Sequence, residues 1–188
     1  MVSKPFSHRV ATRAINDLFS KRHSLTTPQE VLDFGHEKVL ESLHRSKTLY
    51  KDKTTGQIIG IAEVTQSAFG DDPSLASLRE QASRDPAAER ELIIKSFKGY
   101  GPKTVDIFFR RVQVEWGEVY PFADEATIRA AKGVGLDVED AEGLKKLVVE
   151  ADDAKEGKEQ RLAFARVVDL LVYLGLENNT AEVSAALG

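Results

Sequence analysis

Apolar side chains recur along this chain at the three- and four-residue spacing of helices, and no stretch alternates long enough to predict a strand. The expectation is an all-α fold. Arg9 to Phe19 forms a first amphipathic stretch. Thr27-Pro28-Gln29-Glu30 is a capping box with proline at the first helical position, so it starts a short helix over Val31, Leu32 and Phe34 that Gly35 stops. Helices are then predicted over about 36–46, with Val39, Leu40 and Leu43 inward, and over about 55–69, with Ile58, Ile61, Ala62, Thr65 and Phe69 on one side. Asp72-Pro73 and Asp85-Pro86 each pair a capping acid with a proline, and predict helices that bury Leu75 and Leu78, then Leu92 and Ile93. Val105, Phe108, Phe109 and Val112 give a buried face to a helix from Pro102 to about Glu115. Asp124 stands where a cap belongs for a helix over 125–132. Two further helices, about 138–150 and 158–173, flank the polar run 151–157, which reads as a mobile loop, and a last short helix is expected after Asn179-Thr180.

With 188 residues, 41% of them apolar and 30% charged, the chain has the make-up of a globular protein of one large domain or two small packed ones. It contains no cysteine, which excludes disulfides, thiolate nucleophiles and cysteine-held iron–sulfur clusters. His8, His23, His36 and His44 form no HxxxH pair and have no matched carboxylates, so no transition-metal site is expected. Met1 to Arg22 carries no signal-peptide run, and nothing later is long and apolar enough for a membrane span. An intracellular protein with no membrane partner is expected; the sequence does not divide nucleus from cytoplasm.

The formal charge of -4 argues against nucleic acid as a partner, but the charge is segregated. Lys95, Lys98, Lys103, Arg110 and Arg111 face Asp106 alone between 95 and 111, a local +4, whereas 137–160 carries nine acids and four lysines. Phosphate responds to charge within a Debye length, about 8 to 10 Å, so a basic site on an acidic body suffices. Within the basic segment, Phe97-Lys98-Gly99-Tyr100-Gly101-Pro102-Lys103-Thr104-Val105 sets two glycines one residue apart between two predicted helices. Such a hairpin turns backbone N–H groups and the start of the second helix towards one outer point, which suits a phosphate oxygen. The plain alternative is a helix end and a turn. Gly133-Val134-Gly135 repeats the glycine spacing but follows Lys132 at a predicted helix end, where a C-cap explains it. Trp116 reads as core or rim packing, and Arg110 and Arg111 as basic surface.

From about Val10 to Leu136 the chain resembles the endonuclease III-like superfamily of base-excision DNA glycosylases. The resemblance rests on Gly99-Tyr100-Gly101-Pro102-Lys103-Thr104-Val105 as a helix-hairpin-helix and on Tyr120-Pro121-Phe122-Ala123-Asp124 as the Pro-containing loop that ends in aspartate. Asp85-Pro86 through Arg110 is especially similar to a poorly characterised endonuclease-like branch. The resemblance implies a two-lobed helical glycosylase-like domain over 1–188, with the hairpin within 92–115 and the C-terminal helices within 138–188. The family's long leading helix is expected to be missing, since the chain passes from Met1-Val-Ser-Lys-Pro-Phe-Ser7 almost directly to Arg9. The resemblance also implies duplex DNA as partner, with Lys98, Gly99, Tyr100, Gly101, Pro102 and Thr104 on its backbone. It implies Lys103 as the amine that attacks the sugar, and Asp124 as the carboxylate that stabilises cationic sugar or deprotonates the amine. Family analogy further allows a potassium or sodium ion on the hairpin carbonyls, and no iron–sulfur cluster. The open alternatives are Lys103 as a solvated phosphate contact, Asp124 as a helix cap alone, and the whole chain as a non-catalytic DNA-binding module or a helical protein-interaction domain. Neither the damaged base nor the oligomeric state is legible, although a surface bared by the missing helix would favour self-association.

Overall fold

The computed structural model describes residues 8–20, 25–151, 157–176, 180 and 184–185. Among these the protein is all-α, with no strand. Its contacts gather into two compact units, Met1–Val105 and Asp106–Gly188.

The first unit holds α1 (His8–Leu18), α2 (Pro28–Arg45), α3 (Lys51–Phe69), α4 (Ala76–Gln81), α5 (Pro86–Ser96) and the start of α6 (Pro102–Val112). The capping box at Thr27 forms in both directions, with the Glu30 N–H on the Thr27 hydroxyl at 3.2 Å and the Thr27 N–H on the Glu30 carboxylate at 2.9 Å. The Thr26 N–H and hydroxyl, at 2.7 and 2.9 Å, and then the Thr27 N–H hold the Glu30 carboxyl below its ordinary pKa. Gly35 leaves helical geometry (φ 80°, ψ 163°), so α2 is two helical stretches across a kink, where the sequence predicted a stop. Leu18, Leu25, Val39 and Leu43 form the core here, with Val31, Phe34, Ile58 and Ile59 packed around it.

One predicted helix start is corrected. Asp72 is not the N-cap residue of a helix: its carboxylate accepts the Ser74 N–H at 2.9 Å and the Ser74 hydroxyl, which closes a local turn through Pro73. The chain then passes through Leu75 in left-handed geometry (φ 54°) before α4 begins at Ala76. By contrast, Asp85 caps α5 as expected, accepting the Ala88 N–H at 2.8 Å ahead of Pro86.

The second unit holds the remainder of α6, a single 3₁₀ turn (Gly117–Val119), α7 (Glu125–Gly133), α8 (Ala141–Ala151) and α9 (Lys158–Leu176). α8 starts later than the apolar pattern suggested, because Asp140 accepts the Gly143 N–H at 2.8 Å and caps the helix there. Phe164, Val168 and Leu171 of α9 meet Ala130, Ala131, Leu144 and Val148 in the core, and the Tyr120 ring stands edge-on to Phe164 at 5.4 Å. Gly135 (φ 91°) follows Val134, the C-cap of α7, and closes the helix end rather than a second hairpin, with its own N–H on the Lys132 carbonyl and the Leu136 N–H on the Ala131 carbonyl, both at 3.0 Å. Most of the polar run 151–157, at 152–156, lies outside the described residues, as does most of the segment after Asn179, of which 180 and 184–185 are helical. No described helix is long and apolar enough to cross a membrane.

Candidate functional site

In the first unit, α5 and α6 are joined by Phe97 to Gly101. Phe97 closes α5 by donating its N–H to the Ile93 carbonyl, and its own carbonyl accepts the Tyr100 N–H at 3.0 Å. That turn needs a left-handed third residue, and Gly99 supplies it with φ 88°. A Cβ at Gly99 would also stand 2.8 Å from the Gln57 side-chain nitrogen, so the glycine permits close approach as well. The Gly101 carbonyl then accepts the N–H groups of Thr104 and Val105 at 2.9 and 3.1 Å, which starts α6 with Pro102, a residue with no N–H to satisfy. The N–H groups of Gly99, Gly101 and Lys103 have no acceptor among the described residues. Packing holds the turn from behind: buried Phe97 lies between Phe69 and Tyr100, with ring centroids 5.9 and 5.7 Å away. Arg90 reaches from α5 to the Pro102 carbonyl at 3.2 Å. Burial raises the Tyr100 hydroxyl above its ordinary pKa.

Lys98 is exposed on this turn, and in the first turn of α6 Lys103 is exposed and Thr104 half-buried. Neither lysine has an ion-pair partner among the described residues. Three free N–H groups, the positive end of α6 and two lysines give one short stretch of backbone a concentrated attraction for an oxyanion.

Asp124 belongs to the second unit, where it caps α7. One carboxylate oxygen accepts the Thr127 N–H at 3.0 Å and the Thr127 hydroxyl at 2.6 Å. The other lies 3.6 Å from Nε of Arg110, and about nine-tenths of each side chain is buried. Arg110 is therefore not the basic surface its sequence suggested. Its Nε–H has no hydrogen-bond acceptor among the described residues, which leaves Asp124 as the charge that faces it. Arg111 does lie on the surface, 3.5 Å from Asp169.

Sequence reasoning missed Gln113. Fully buried, it accepts the Phe122 N–H at 2.8 Å and donates to the carbonyls of Phe122 at 3.1 Å and Arg110 at 2.7 Å. It thereby ties the end of α6 to the loop that leads into Asp124. Phe109 supports the same loop with an edge contact to Phe122 at 5.4 Å. The available signal was a polar residue on the stripe Val105, Phe109, Gln113, three buried positions each four residues apart. Trp116 is core, edge-on to Phe108 at 5.3 Å.

Among the described residues no three or more histidine, aspartate or glutamate side chains converge to hold a metal. Compared with known protein families, with curated proteins and with solved structures, the chain matches none.

Proposed function

We propose that this chain binds duplex DNA by its backbone through the Phe97–Thr104 turn, and acts in base excision as a DNA N-glycosylase with abasic-site lyase chemistry. The observation that carries the binding is the set of free N–H groups at Gly99, Gly101 and Lys103 between two exposed lysines. Such contacts position a strand without reading its sequence, as suits a protein that recognises damage rather than a fixed site. In the lyase step the Lys103 amine adds to C1′ of the ring-opened abasic sugar and water leaves, giving an imine. Loss of a C2′ proton then expels the 3′ phosphate. By resemblance, Asp124 stabilises positive charge at the sugar.

A non-catalytic DNA clamp is the second reading, and two observations favour it. Both oxygens of Asp124 are engaged by Thr127 and Arg110, and Lys103 stands open to solvent rather than in the enclosed setting that activates lysine nucleophiles. A gel assay on duplex with one abasic site, with and without borohydride, separates the two readings. The glycosylase reading predicts a shifted complex and a trapped adduct that Lys103→Ala abolishes, with Asp124→Asn slowing its formation. A shift without adduct leaves the clamp. No shift from folded protein overturns both.

A further inference from the structure

Behind the same turn the first unit contains a cavity of about 420 Å³, within the range of small-molecule sites. Its walls are chiefly aliphatic, among them Ile15, Val31, Ile58 and Ile61, with Thr54 and Gln57 of α3 as polar side chains in the same wall. Two lining side chains lie strongly exposed, Ile15 at 45% and Phe19 at 59%, so apolar surface stands uncovered at its lip. Gly99, Tyr100 and Thr104 of the turn also line the cavity. Gly99 and Thr104 each follow an exposed lysine in sequence, Lys98 and Lys103.

A body of alkyl character with one anionic end satisfies both parts. A nucleobase fits this wall less well, because the several donors and acceptors on its edge would find only Thr54, Gln57, Tyr100 and Thr104 among chiefly apolar neighbours. A cationic amphiphile would set like charge against the two lysines. We infer that the first unit binds a single-chain anionic amphiphile, an alkyl carboxylate or alkyl phosphate. Its chain occupies this cavity, and its head lies at the turn beside Lys98 and Lys103. The inference stands whether or not the turn holds DNA.

The test is calorimetric titration of the full-length protein with decanoate, decyl phosphate, octanoate and decyltrimethylammonium, each below its micelle concentration. Saturable one-to-one binding of at least one decyl anion is expected, and the tighter of the two identifies the head group. Octanoate should bind about tenfold more weakly than decanoate, since two fewer methylenes are buried. Ile15→Glu, at a position 45% exposed, should weaken the decyl anions about tenfold or more through a carboxylate at the lip. The double variant Lys98→Ala/Lys103→Ala should weaken the anions and leave decyltrimethylammonium no weaker. Absence of saturable binding by either anion would overturn the inference. So would equal binding of the cation, or indifference to Ile15→Glu in a variant whose circular dichroism is unchanged.

Discussion

Asp124→Ala is expected to lower the stability of the second unit by about 3–4 kcal/mol, the sum of a lost cap and a buried guanidinium left without its counter-charge. The two contributions separate by substitution. Asparagine caps helices as well as aspartate does, so Asp124→Asn should keep the bonds to Thr127 and lose only the attraction to Arg110, a smaller loss of about 2 kcal/mol. Removing the cation as well, in Asp124→Asn/Arg110→Met, should recover most of that loss, because an apolar side chain of similar length needs no partner. Urea unfolding followed by fluorescence reads this directly, since Trp116 is the one tryptophan of the chain and is buried in this unit. Equal losses in Asp124→Ala and Asp124→Asn would mean that the cap contributes nothing. An additive double variant would mean that the pair is not coupled.

Gln113→Leu is expected to cost about 2–4 kcal/mol although leucine matches the site in size and is fully apolar. The reason lies in what remains: the N–H and carbonyl of Phe122 and the Arg110 carbonyl at the end of α6 lose their partner inside the protein. The penalty falls on the loop that leads to Asp124. Hydrogen exchange at the Phe122 amide should therefore accelerate by about a hundredfold, the equivalent of about 2.7 kcal/mol, while amides of α8 and α9 follow only the change in global stability. Gln113→Glu should not rescue, since it keeps an acceptor for Phe122 but loses both donated bonds and buries a charge. An unchanged Phe122 amide in Gln113→Leu would show that the loop holds itself.

The all-α character and most helix starts were legible because they rest on local chemistry: capping at Thr27, Asp85 and Asp124, and apolar stripes such as that of α6. Asp72-Pro73 misled because the same residue types also close turns, and the chain chose the turn through contacts of Ser74 and the left-handed Leu75. The turn with Lys98 and Gly99, and Lys103 just inside the helix that follows it, could be placed from spacing alone. The burial of Arg110 could not, since nothing in a run of two arginines says which one meets a carboxylate fourteen residues later. Gln113 was detectable as a polar residue on a buried stripe, but its partners lie in a loop without periodicity, so its role needed the fold.

If the Phe97–Thr104 segment holds DNA by its phosphates, duplex binding depends steeply on salt through Lys98 and Lys103. Each phosphate contact adds about 0.9 to the slope of log K against log salt. Lys98→Ala/Lys103→Ala should flatten that slope by about 1.8 and weaken binding uniformly across duplex sequences, with the fold unchanged. An identical slope in the double variant, or no salt-dependent binding by the unaltered protein, would contradict phosphate binding by this segment.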